Sequence, residues 1–255
     1  MKTEFFKYNF KYAASVDIGR KRTSNQDEVI LCPEQGFFAV SDGMGGLLHG
    51  GDTSDIIRQV LPLMINNAVS TLKTNNSIEQ AAELLKKQIQ TLSDKIYNSN
   101  KSDKRTYFGA TLSGVWLVDD YAVFVNIGDS RGYLLSGYKK HIRQITKDHN
   151  LAAMLVEMNE ISKEEAINHP SSSQLTRFMG MPAPAQPEIF VEKIKPGDRL
   201  LLCSDGLYGM IGNAELSRLL RSSRHNSNAV CKSLVNIAND NGGRDNISVV
   251  YLKIS

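Results

Sequence analysis

The stretch Gly36–Gly46, GFFAVSDGMGG, decides how the rest of the chain is read. Its apolar run, Phe37-Phe38-Ala39-Val40, predicts a buried strand that stops at Ser41-Asp42-Gly43. Gly43, Gly45 and Gly46 then leave backbone without Cβ atoms, free to pass close to an ion. A carboxylate at the end of a rigid strand, followed by bare backbone, suits a hard cation that takes oxygen ligands. Alone, Asp-Gly after a strand is only a turn signal.

The device recurs. RLLLCSDG, residues 199–206, repeats the apolar run and the Ser-Asp-Gly ending, and VFVNIGDSRG, residues 123–132, sets Asp129 just past a strand. Two more aspartates lead apolar runs instead of trailing them: Asp27 before Val29-Ile30-Leu31, and Asp245 before Ile247, Val249 and Val250. In an antiparallel sheet the end of one strand lies beside the start of its neighbour. All five aspartates can therefore gather at one edge, where their mutual repulsion calls for cations.

A chain of 255 residues, 41% hydrophobic, can bury a large core. Thirty basic and 27 acidic residues give a net charge of +3, too mild to argue for nucleic acid. No apolar stretch reaches the length of a membrane span and the N-terminus lacks a signal-peptide pattern, so a soluble, cytoplasmic protein is expected. Cys32, Cys203 and Cys231 are odd in number and widely spaced, which fits buried thiols and removes cysteine-based phosphate chemistry. The five histidines form no ligand pair at helical spacing, which disfavours a zinc hydrolase.

Helical spacing predicts a helix over 52–71, kinked at Pro62, and a second one capped by Ser77 and Gln80. Strands follow at 110–118 and 121–127, joined across Asp119-Asp120. Residues 148–174 read as a helical insertion, with Leu151, Met154, Leu155 and Met158 along one side. Strands in runs and helices in pairs indicate α+β with antiparallel sheets, here one domain carrying a helical flap.

The motifs DIGRKRTSNQDEV (17–29), FFAVSDGMGG, FGATLSG (108–114), NIGDSRGYL, KDHNL, HPSSSQLTRFMG (169–180), LLLCSDGLYGMI and GGRDNISVV stand in this order. Together they resemble the metal-dependent protein phosphatases of the 2C type in their compact bacterial form. The resemblance implies a four-layer α/β/β/α sandwich and a site for two manganese or magnesium ions. Such ions, about 3.5–4 Å apart, would share a water and prepare it for attack on a phosphate monoester. It further implies that Asp42 bridges the ions, that the Gly43 carbonyl ligates one, and that Asp205 and Asp245 complete the first site. Asp27 would act through bound water, and Asn246 would orient Asp245 or a metal water.

Arg22 matches the phosphate-binding arginine, with Arg20 as the alternative; a planar guanidinium can hold two phosphoryl oxygens. Gln26 stands where many members carry a glutamate, and His49 lies two residues beyond the usual Gly-Gly-His position, so a surface role suits it better than general acid. Gly209 replaces a second acid, so Asp129 with Asp205 would hold a third ion only weakly. The expected substrates are phosphoserine and phosphothreonine proteins, opposite a serine/threonine kinase, with no nucleic acid and a monomeric state. Small-molecule phosphomonoesterase and silent binding module are the rival readings, the latter weakened by the presence of Arg22, Asp42, Asp205 and Asp245.

Overall fold

The computed structural model describes residues 1, 3, 5–72, 77–100, 108–137, 139, 141–166, 169–182, 184–222 and 226–255, with backbone alone at 46–50, 100 and 222. The chain opens with β1 (Phe10–Asp17), β2 (Asp27–Cys32), β3 (Phe37–Met44) and the helices α1 (Gly46–Thr71) and α2 (Ile78–Asn100). Next come β4 (Gly109–Ala110), β5 (Leu112–Val118), β6 (Tyr121–Ile127), β7 (Arg131–Leu135) and β8 (Arg143–Gln144). The insertion holds α3 (Leu151–Glu157), α4 (Lys163–Ala166) and a 3-10 turn at Pro170–Ser173. The chain closes with β9 (Glu188–Lys193), β10 (Arg199–Cys203), α5 (Asp205–Tyr208), α6 (Asn213–Ser222), α7 (Ser227–Asp240) and β11 (Ile247–Ile254).

Among the described residues the strands form two antiparallel sheets, ordered β1-β11-β10-β7-β8 and β2-β3-β5-β6-β9, with β4 pairing the end of β3. The continuous apolar runs of β3, β5, β6, β10 and β11 follow from their position, since these strands are covered on both faces. Phe38 and Val40 of β3 pack with Leu200 and Leu202 of β10 and Val250 and Leu252 of β11 between the sheets. Their neighbours Phe37 and Ala39 face the other way, against Ile57, Leu61 and Ile65 of α1 and Leu85 and Ile89 of α2. Leu201, Cys203, Val249 and Tyr251 likewise pack against Leu216 and Leu220 of α6 and Leu234 and Val235 of α7. Two-residue alternation thus divides each strand between an inter-sheet core and a helix-facing core, and the four-layer α+β sandwich results.

Three local expectations are corrected. β3 does not stop at Ser41 but carries Asp42 and Gly43 within the strand, because Gly43 and Met44 pair with Ala110 and Gly109 of β4. α1 starts at Gly46, six residues early, and continues through Pro62; burial of Ile57, Leu61 and Ile65 outweighs the local penalty of the proline. The flap helix α3 is short, and of its residues only Ala152 is buried, while Met154 and Met158 face solvent. The capping signal is realised: the Ser77 and Gln80 side chains exchange bonds with each other's backbone N–H, and Ser162 and Glu165 do the same ahead of α4.

Candidate active site

Antiparallel register brings the acids together. Asp27 of β2 lies directly opposite Asp42 of β3, a pairing of like charges that is unfavourable unless something neutralises it. The Asp42 backbone is clamped by Thr111, whose Oγ1 accepts from the Asp42 N–H at 3.1 Å and whose N–H donates to the Asp42 carbonyl at 2.8 Å. The two sheets meet at the next bond: Ser204 Oγ, at the end of β10, donates to Asp27 Oδ2 at 2.6 Å and accepts from the Ser248 N–H at 3.0 Å. Asp205 then opens α5, Asp129 sits in the turn between β6 and β7, and Asp245 precedes β11.

Burial raises the proton affinity of these acids, and their mutual charge adds to it. Asp27 is pushed up to about 7, mainly by burial, then by Asp205 and Asp245, against the relief given by its Ser204 bond and the nearby Ser248 hydroxyl. Asp129 rises to about 8 and Asp205 to about 6, again mainly by burial, then by Asp205 and by Asp245 respectively. Asp42 is raised well above the carboxylate range by burial and by Asp27, Asp205, Asp129 and Asp245 in turn. The five aspartates therefore feel one another, although Asp42 and Asp205 keep some solvent contact at the mouth of the site.

The donor set fits divalent cations. It is all oxygen, from carboxylates and the Gly43 carbonyl, as hard ions require, and Asp27 Oδ1 and Asp205 Oδ1 are buried without a hydrogen-bond partner. Among the described residues, no three Asp, Glu, His or Cys side chains stand as a closed cage. Electrostatic convergence and the two orphaned oxygens, rather than a finished coordination geometry, mark the site.

Arg22 reaches this cluster. Its Nη2 donates to Asp245 Oδ2 at 2.6 Å, and its guanidinium also feels Asp42 and Asp205. Asn246 does something the sequence did not suggest. Only its backbone N–H bonds Asp245; its side chain donates to the carbonyls of Ile18 and Ser24 and accepts from the Gln26 N–H. It thereby pins the whole loop that carries Arg22. At position 209 any Cβ would sit 2.8 Å from the Asp205 carbonyl, so the turn ending α5 has no room for an acid there. The His49 side chain lies outside the described residues.

Sequence reasoning missed Ser204 and Arg131. Ser204 was visible as the repeated serine of Ser-Asp-Gly, but its bond crosses between sheets and has no local signature. Arg131 grips Asp148 with two of its three nitrogens, Nε to Oδ1 at 2.9 Å and Nη2 to Oδ2 at 2.6 Å, and stacks on Tyr208 at 3.6 Å. Tyr208 in turn donates to the Asp129 carbonyl at 3.0 Å. The other foot of the flap is held by Arg177 on Glu188 at 3.0 Å. The feet join through a bridge between Asn150 and Leu175, with the Thr176 N–H donating to the His149 carbonyl.

Comparison with known proteins gives one family. The family model described as protein phosphatase 2C matches residues 19–248. The chain is 34% identical over 242 residues to the serine/threonine phosphatase stp of Listeria monocytogenes serotype 4b (strain F2365), covering 93% of each protein. Serine/threonine phosphatase Stp1 from Staphylococcus aureus superposes with a TM-score of 0.86 at 26% identity, over 100% of this chain and 99% of that one. The catalytic domain of the serine threonine protein phosphatase PstP, solved in complex with two manganese ions, gives 0.78 at 26% identity, over 96% and 98%.

Proposed function

The chain belongs to the protein phosphatase 2C family, and we infer on that footing that it is a metal-dependent serine/threonine protein phosphatase. The observation that carries this is the Ser204–Asp27 bond, which ties the Ser-Asp-Gly segment after β10 to the strand partner of Asp42 in the other sheet and so makes one cluster of mutually interacting acids.

Asp42, Asp205 and Asp245, with the Gly43 carbonyl and Asp27 behind them, would hold two manganese or magnesium ions. Such ions supply Lewis acidity and make a shared water nucleophilic at neutral pH. Cations would offset the burial that raises the proton affinity of Asp42 and Asp205 and so favour their ionised forms. Arg22 receives the substrate phosphoryl group, exchanging its bond to Asp245 for two bonds to phosphate oxygens. Asn246 keeps the arginine loop in register with Asp245, so guanidinium and acids hold a fixed spacing. Asp129 with Asp205 would take a third ion weakly, since Gly209 adds no charge.

The substrates are phosphoproteins, and we assign phosphoserine and phosphothreonine made by an opposing serine/threonine kinase. The chain acts as one phosphatase unit, a monomer in which residues 148–174 form a flap beside the site. Its buried free cysteines suit a reducing compartment, and we place it in the cytoplasm. Among the described residues no helix is long and apolar enough to cross a membrane. The test is release of phosphate from phosphothreonine and phosphotyrosine peptides with and without manganese. Manganese-dependent cleavage of the phosphothreonine peptide is expected; full activity in EDTA refutes the reading, and cleavage of nucleotides alone reassigns the substrate.

A further inference from the structure

Ten arginines have described side chains, and eight of them direct the guanidinium at the protein. Six hold carboxylates and two hold backbone carbonyls. Among the described residues Arg20 and Arg244 hold neither, and both are exposed. They lie on the two loops that form the lip of the site.

Those loops interlock. The Arg20 N–H donates to the Gly243 carbonyl at 2.7 Å. Gly19 takes a φ of +82°, and a Cβ there would run into the carbonyl of Asp245. Gly243 takes a φ of +49°, and a Cβ there would stand 2.7 Å from Arg20 Cγ, so the stem of Arg20 lies on glycine backbone while its head is in solvent. Arg244 sits one residue before Asp245, the carboxylate that Arg22 holds. Local acids do not cancel this charge. Asp17 accepts from the Gly19 N–H and the Asn239 amide, Asp245 is taken by Arg22, and Asp240 and Asp52 are exposed acids on the adjoining helices α7 and α1. Lys21, also exposed, adds to the positive balance.

We propose that Arg20 and Arg244 form a second anion subsite, which takes a carboxylate or a second phosphate on the same substrate peptide; this rests on the phosphoprotein reading above. A guanidinium fork fits either group and loses little order in binding it. Reach agrees: two residues of chain put the Arg20 and Arg22 backbones no more than about 7 Å apart. An anion two or three residues from the phosphothreonine of an extended peptide lies about 7–10 Å away. The enzyme therefore prefers acidic or doubly phosphorylated segments.

The test compares phosphothreonine peptides of one length, flanked at two and three residues by Gln, by Asp or by phosphoserine, on the full chain with manganese. The wild type cleaves the Asp and phosphoserine peptides with kcat/KM on the order of fivefold above the Gln peptide, through KM, as two exposed charge pairs allow. High salt erases the difference. The double variant Arg20→Gln, Arg244→Gln loses the preference and keeps its melting temperature and its rate on the Gln peptide. The Asp and phosphoserine arms tell which anion is favoured. Equal rates on all peptides, or a preference that survives the double variant, overturn the lip subsite alone. No cleavage of any phosphopeptide overturns the phosphatase reading and this one with it.

Discussion

Stripped of divalent ions, the protein gains stability as pH falls from 8 to 6. Asp27 and Asp129 titrate near 7 and 8 in the fold against an ordinary 3.8, and Asp42 is raised well above that value. An acid raised in this way keeps its proton in the fold at a pH where the unfolded chain has lost it. Its contribution is complete below the ordinary value and is lost as pH rises through the folded one. At pH 7, Asp27 and Asp129 together hold about 1.4 protons that the unfolded chain lacks, and the raised Asp42 acts in the same direction. The slope from Asp27 and Asp129 alone is about 2 kcal/mol of stability lost per pH unit. His149, which burial keeps neutral, pulls the other way on acidification and takes back at most one proton of that slope. Urea melts in EDTA at pH 8, 7 and 6, followed by the fluorescence of the single, buried Trp116, measure the effect. Manganese abolishes or inverts the slope, because it binds the ionised carboxylates. A metal-free protein whose stability is flat or falls between pH 8 and 6 would mean that these acids are not packed together.

Asp42→Asn lowers manganese-dependent turnover by several orders of magnitude and removes the manganese-induced rise in melting temperature, while the metal-free variant melts no lower than the parent; near-normal turnover sinks the bridging role. Arg22→Lys keeps the charge but not the fork and lowers kcat/KM for phosphopeptides by about 10- to 100-fold, read in steady-state kinetics. Asn246→Ala leaves the Gln26 N–H and two loop carbonyls without partners, costs about 2–4 kcal/mol in urea melts, and raises KM by freeing the Arg22 loop. Gly206→Ala drives a Cβ into the carbonyl of Asn246 and costs about 2–3 kcal/mol, measured the same way.

Much of the architecture was readable because each strand carries its own signal. Runs such as Phe37–Val40 and Leu200–Cys203 are apolar on consecutive positions, and both faces of those strands are in fact covered. The convergence of the aspartates was inferred from where each sits relative to a run, which antiparallel pairing turns into proximity. What was not readable depended on distant partners. The continuation of β3 through Asp42 needs β4, a two-residue strand with no periodicity to show. The outward turn of Met154 and Met158 depends on where the flap docks, which a helical pattern cannot express. Asn246 was seen as a neighbour of Asp245, but its side chain serves residues more than 200 positions earlier in the chain. Gly209 was recognised as a departure, whereas the carbonyl that forbids a side chain there belongs to the folded turn.

The zipped neck of the flap has a practical corollary. Residues 149–151 and 174–176 already hold each other as a hairpin stem would, and Arg131 and Glu188 moor that stem to separate sheets. The intervening loop is thus a cassette: a short turn, or the matching segment of a relative, can be spliced between Leu151 and Gln174 without re-laying the foundations on which the acids stand.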